Sequence, residues 1–87
     1  MKFIYVYILK SKKFDFIYIG STDNLIRRFK EHNSKLAIAT KHYVPLELIH
    51  YEAYKNKKDG KRRELYLKTN KGRKTLMTML KEYFSNC

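Results

Sequence analysis

The sequence predicts a small α+β domain, and three observations carry that expectation. Residues 3–9 and 14–19 are short apolar runs with strand-like alternation, separated by a polar stretch. Residues 46–54 form a third run of the same kind. Helical spacing governs the segment after the second run and the last third of the chain. With 87 residues, 44% of them hydrophobic, the chain has material for one domain spanning 1–87 with a single modest core.

In the first run Ile4, Val6 and Ile8 fall on one face and Phe3, Tyr5, Tyr7 and Leu9 on the other. The polar stretch Lys10, Ser11, Lys12, Lys13 fits a hairpin loop. The second run repeats the pattern, with Ile17 and Ile19 on one side, Phe14, Phe16 and Tyr18 on the other, and Gly20 at its end. Neighbouring runs tend to pair, so the aliphatic faces are expected under helices, with Tyr7 and Tyr18 sharing the opposite face. Thr22 or Asp23 is the expected cap of a helix whose stripe is Leu25, Ile26 and Phe29, ending near Asn33 and Ser34.

Residues 35–44 lack periodicity and read as a loop, with Pro45 opening the third strand. On that strand Leu48, His50, Glu52 and Tyr54 are expected to share a face. A helix is expected from Lys55 to Lys68, weakened at Gly60 so that its start shifts towards residue 59. Asn70, Lys71 and Gly72 read as a break. Leu76, Met79, Leu80 and Tyr83 then repeat at the spacing of an amphipathic helix.

Lys and Arg number 20 against 8 Asp and Glu, a formal charge of +12. Such a domain is drawn to polyanions, of which nucleic acid is the commonest inside cells. No segment is long and apolar enough to span a bilayer, which argues against a membrane protein, and the residues from Met1 to Tyr5 read as strand rather than signal peptide. The one cysteine, Cys87, permits no internal disulfide and fits a reducing, cytoplasmic setting. His32, His42 and His50 lack the paired spacing of a structural zinc site.

The informative cluster is Tyr7, Tyr18, Arg28 and His32. Arg28 and His32 are four apart and share a helix face. Two phenols, a guanidinium and an imidazole suit phosphodiester chemistry: charge neutralisation on a phosphate and handling of a proton. The plainer reading is strand aromatics and a polar helix surface. Arg27 pairs with Glu31 on a different face. Arg27, Lys10, Lys41 and the basic run at 57–63 are candidate phosphate contacts through charge alone, against the plain reading of solvated basic faces. Gly20 either admits a close backbone or substrate approach or serves a turn.

Tyr5-Val6-Tyr7, Tyr18-Ile19-Gly20, the helix from Asn24 through Asn33, and the segments 45–52, 63–68 and 72–73 together resemble the GIY-YIG nuclease domain, in its small stand-alone form. Tyr5 replaces the first glycine and Val6 the isoleucine of that pattern, and the late asparagine of some members has no match. The resemblance implies a three-stranded antiparallel sheet flanked by helices and metal-dependent cleavage of DNA. It carries the two motif tyrosines onto Tyr7 and Tyr18, the arginine onto Arg28, the histidine onto His32 and the metal-binding glutamate onto Glu52.

A single carboxylate is enough for Mg²⁺ (or Mn²⁺), whose remaining shell is water and substrate phosphate. The implied function is a metal-dependent endonuclease of low sequence specificity or structure selectivity. Either tyrosine is a candidate general base, given a nearby positive charge to stabilise phenolate. The alternative is a nucleic-acid-binding module of the same fold that cuts little. A homodimer or an accessory protein as the source of target choice stays open.

Overall fold

A computed structural model describes residues 2–86; Met1 and the single cysteine, Cys87, lie outside the described residues. The elements are β1 (Ile4–Ser11), β2 (Ile17–Thr22), α1 (Leu25–Asn33), β3 (Leu46–Tyr54), α2 (Lys57–Leu67), α3 (Asn70–Met79) and α4 (Lys81–Ser85). The strands form one antiparallel sheet in the order β2-β1-β3. This is the α+β architecture expected, with β1 in the centre and β2 and β3 at the edges.

Strand alternation divides the core in two. Val6, Ile8 and Ile19 pack with Leu67 of α2 and Leu76 of α3 on one face. Tyr7, Leu9 and Leu46 pack with Tyr18 and with Leu25 and Phe29 of α1 on the other. Both faces of β1 are therefore covered, and the aromatic face has its own helix.

Several boundaries differ from the sequence expectation: β1 runs on through Lys10 to Ser11, and β2 starts at Ile17 rather than Phe14. Asn24, not Thr22 or Asp23, caps α1, its side chain accepting from the Arg27 backbone N–H at 3.1 Å. The second strand runs on through Gly20 to Thr22, because residues 20–22 keep pairing with β1. The break between the last helices falls at Lys68 and Thr69, where the Thr69 hydroxyl caps α3. Gly72 lies inside α3, where an added Cβ would collide with the Tyr66 backbone of α2. The stripe from Leu76 to Tyr83 is shared between α3 and α4.

The third strand corrects one face assignment. The β1–β3 register shifts between Ile8, which faces His50, and Leu9, which faces Leu48. This bulge leaves His50, Glu52 and Tyr54 opposite Ile8, Val6 and Ile4, while Leu48 packs with the Tyr7 cluster. Leu48 thus does not share their face, because an extra residue in one strand reverses the alternation beyond it.

Candidate active site

Tyr7 faces Gly20 in the β1–β2 register, and Leu9 faces Tyr18, so the two tyrosines are diagonal neighbours on one face. Their ring centroids are 6.2 Å apart. The rings lie over Gly20: a Cβ there would stand 2.7 Å from the Tyr7 hydroxyl and 2.8 Å from the Tyr18 ring. Gly20 is thus required by close approach of side chains inside a strand, rather than by a turn. It brings the Tyr7 hydroxyl from the central strand out over the edge strand.

α1 covers this face and turns Arg28 and His32 towards the tyrosines. The Tyr7 hydroxyl is 2.8 Å from Nε2 of His32, and Nδ1 of His32 is 2.7 Å from the Thr40 hydroxyl. His32 and Thr40 are fully buried, and Tyr7 is 1% exposed. The Tyr18 ring packs on the same imidazole, at 5.0 Å, but stays half-buried at the surface. Burial holds His32 down at about 4, helped by the Arg28 charge. Burial likewise pushes Tyr7 up to about 12, while Arg28 pulls in the opposite direction. The neutral imidazole carries one ring proton, so the ring donates in one of its two bonds, to Tyr7 and Thr40, and accepts in the other.

Arg28 is partly exposed, and one terminal nitrogen donates to Glu31 at 3.0 Å. Arg27 is 60% exposed and makes only looser pairs, with Asp23 and Glu31, each at 3.7 Å. The two arginines therefore differ as their helix positions predicted. Lys10 donates to the neighbouring Ser11 carbonyl at 3.2 Å, and Lys41 is exposed. Neither makes a bond to the tyrosine–histidine cluster among the described residues.

Glu52 is not brought together with the other four. It lies opposite Val6, on the face that α2 and α3 cover, one strand beyond β1. Arg63 grips both its oxygens, at 2.9 and 3.2 Å, and His50 and Tyr54 bind it at 3.0 and 2.7 Å. Burial would raise this carboxyl, but those three partners outweigh it and bring it down to about 2. Its arrangement is that of a structural ion pair.

A different carboxylate reaches the β2 edge beside the tyrosines. Glu64 of α2 is 4% exposed, and its Oε1 accepts the Ser21 hydroxyl at 2.7 Å. Ser21 follows Gly20 on β2, so the Tyr7 hydroxyl and the Glu64 carboxylate reach the same edge from opposite faces of the sheet. Glu64 is close enough to add to the upward push on Tyr7, behind burial and the Tyr18 hydroxyl. Lys61 and Lys68 neutralise it, at 3.3 and 2.8 Å. Burial opposes ionisation of Glu64, yet Lys68, Ser21 and Lys61 hold its pKa below the usual carboxylate value.

Sequence reasoning missed Glu64 and Thr40. Glu64 has a signal: it stands between the buried Gly60 and Leu67 at helical spacing, which turns it inward. Thr40 has none, since it lies in a loop without periodicity. Among the described residues no group of three or more His, Cys, Asp or Glu could hold a metal ion. A lone buried carboxylate beside a surface edge still fits Mg²⁺, which keeps several waters and takes one or two carboxylates plus substrate phosphate.

The family profile of the GIY-YIG catalytic domain matches residues 3–78. The chain belongs to the GIY-YIG family. The match places it in a nuclease family and runs from β1 through nearly all of α3. A GIY-YIG chain of this form resembles the UPF0213 protein CPE1444 of Clostridium perfringens (strain 13 / Type A). The two are 42% identical over 65 residues, which is 74% of this chain and 69% of that protein. It also resembles the solution NMR structure of the UPF0213 protein BH0048 from Bacillus halodurans. That comparison has a TM-score of 0.55 at 32% identity and covers 91% of this chain and 85% of that one. In this GIY-YIG domain the first-motif position held by Tyr5 packs edge-on against Tyr51, at 6.0 Å.

Proposed function

We propose that the protein is a divalent-metal-dependent endonuclease that hydrolyses DNA phosphodiester bonds at the β2 edge, using Tyr7, Tyr18, Arg28, His32 and Glu64. One observation carries this reading. The Tyr7–His32 pair and the buried Glu64 carboxylate approach the adjacent residues Gly20 and Ser21 from the two faces of an edge strand. A phosphodiester laid over that edge meets proton-handling groups on one side and an anionic metal ligand on the other.

The chain's own residues divide the work. Arg28, engaged with Glu31 and with the Tyr7 hydroxyl, has its remaining N–H groups for the non-bridging oxygens of the phosphate. Tyr18, the half-buried phenol, orients the attacking water. The water proton passes to the Tyr7 oxygen as the Tyr7 proton passes to Nε2 of His32, in the tautomer that carries its proton on Nδ1 and donates it to Thr40. Glu64 replaces Glu52 as the proposed metal ligand, because Glu64 bonds Ser21 at the β2 edge, whereas Glu52 stands on β3, on the far side of β1. A divalent cation, Mg²⁺ or Mn²⁺, supplies Lewis-acid stabilisation of the phosphate and of the leaving oxygen when bound.

The net charge of +12 supports a polyanionic substrate, and contacts made through charge favour low sequence specificity. The test is cutting of plasmid, single-stranded and branched DNA with Mg²⁺ or Mn²⁺ against EDTA. Metal-dependent nicking supports the reading. Salt-sensitive binding with no cutting under any metal overturns it in favour of a binding module.

A further inference from the structure

The basic run at 57–63 is not one surface. Lys57, Lys61, Glu64 and Lys68 recur at i, i+4, i+7 and i+11, a narrow stripe of α2 that faces β2. Lys58 falls off this stripe, Arg62 pairs with Asp59 at 3.1 Å, and Arg63 is committed to Glu52. Three of the run's five cations therefore point elsewhere, and Lys57 and Lys61 line the seam between α2 and the edge strand.

Two grooves open along that seam. One, of about 390 Å³, lies at the Ser21–Thr22 end of β2 and is lined by Lys57 and Lys61. Asp23 also lines it, but its carboxylate already faces Arg27 and Lys2. The other, of about 280 Å³, lies at the Ile17–Ile19 end and is lined by Tyr18, Lys68 and Arg73. Gly20, under the Tyr7 hydroxyl and next to the Ser21 that bonds Glu64, lies between the two. Lys57 and Arg73, the outermost cations, have no carboxylate partner among the described residues.

We propose that the β2 edge is the track of a nucleic-acid strand, with Lys57 holding phosphate on one side of Gly20–Ser21 and Arg73 holding it on the other, while Lys61 and Lys68 stay paired with Glu64 between them. This deepens the nuclease reading and rests on it for the position of the scissile phosphate. The six residues of β2 make an edge of about 17 Å at about 3.3 Å per residue, the axial length of about five nucleotides at about 3.4 Å each. Cations at both ends and a carboxylate in the middle fit a strand whose central phosphate is the one presented to the Glu64 side. Tyr18 adds an aromatic surface on which a base can stack.

The test is fluorescence anisotropy of labelled single-stranded and duplex oligonucleotides, in EDTA so that no strand is cut, across a series of salt concentrations. The Lys57→Gln/Arg73→Gln variant is compared with Lys58→Gln/Arg62→Gln, which removes the same charge from the other faces; thermal melting checks that both are folded. The track predicts that the first variant loses about tenfold in affinity and that its log–log salt slope falls by about 2, while the second loses less than half as much on either scale. Equal losses, or parent-like binding by the first variant, overturn it. If the first variant loses binding as expected but the parent never cuts with metal, the track stands and the nuclease reading falls. If the parent cuts but the first variant binds normally, the reverse holds.

Discussion

The Tyr7 hydroxyl lies 2.8 Å from Nε2 of His32, and neither side chain is open to solvent. This bond is worth about 1 kcal/mol to the fold and holds the hydroxyl over Gly20. Tyr7→Phe removes the oxygen and keeps the ring. The expected result is a folded protein about 1 kcal/mol less stable by denaturant titration, with cutting slowed about 100-fold under single-turnover conditions. Unchanged single-turnover rates would remove Tyr7 from the proton path.

His32 is held neutral by its surroundings, with a midpoint at about 4 instead of 6.5. NMR titration of the imidazole in the metal-free protein should show a neutral ring from pH 7.5 down to 5. The sign for stability follows from the lowered pKa. The unfolded chain takes the proton first, so stability falls as pH drops from 6.5 towards about 4. A midpoint near 6.5 would mean that the imidazole is solvated rather than buried between Tyr7 and Thr40.

Arg28 and Arg27 are an internal comparison, with equal charge on adjacent positions of α1. Only Arg28 interacts electrostatically with Tyr7, while Arg27 is 60% exposed. Lysine keeps the charge but loses the planar fork. Arg28→Lys should lower the cutting rate by about 100-fold, and Arg27→Lys by less than about threefold, both read on a single labelled DNA. Similar losses in the two variants would reduce the role of α1 to net charge.

Much of this was legible in the sequence, and the gaps have physical causes. Alternation in residues 3–9 and 14–19 is enough to separate the Val6 face from the Tyr7 face, and helical spacing is enough to put Arg28 with His32. The face of Glu52 was not legible relative to the tyrosines. Register is set by pairing, a one-residue shift exchanges the faces, and the bulge near Leu48 carries no mark in the sequence. Glu64 was hidden for another reason. It stands beside a basic run that resembles a solvated helix, and its burial depends on where α2 meets β2. Thr40 reaches His32 only because the loop after α1 folds back over it.

Glu52 has a stability role that can be measured by itself. Its carboxyl titrates at about 2 in the fold against an ordinary value of 4.5, held down by Arg63, His50 and Tyr54 after their bonds overcome burial. A depressed carboxylate stabilises the fold above its unfolded value, so this contribution is full above pH 4.5 and is lost as pH falls towards about 2. Glu52→Gln should cost about 2 kcal/mol at pH 7 by denaturant titration. A change below about 0.5 kcal/mol would show that the Arg63 pair contributes little.

The measurement that tests the central claim most directly is cutting of one plasmid substrate with Mg²⁺ by Glu64→Gln and Glu52→Gln, at a temperature where melting shows both variants folded. The β2-edge site predicts that Glu64→Gln loses cutting by about 1000-fold or more, while Glu52→Gln cuts within about threefold of the parent. Loss of cutting in Glu52→Gln with normal cutting by Glu64→Gln would contradict the site and return the metal to β3.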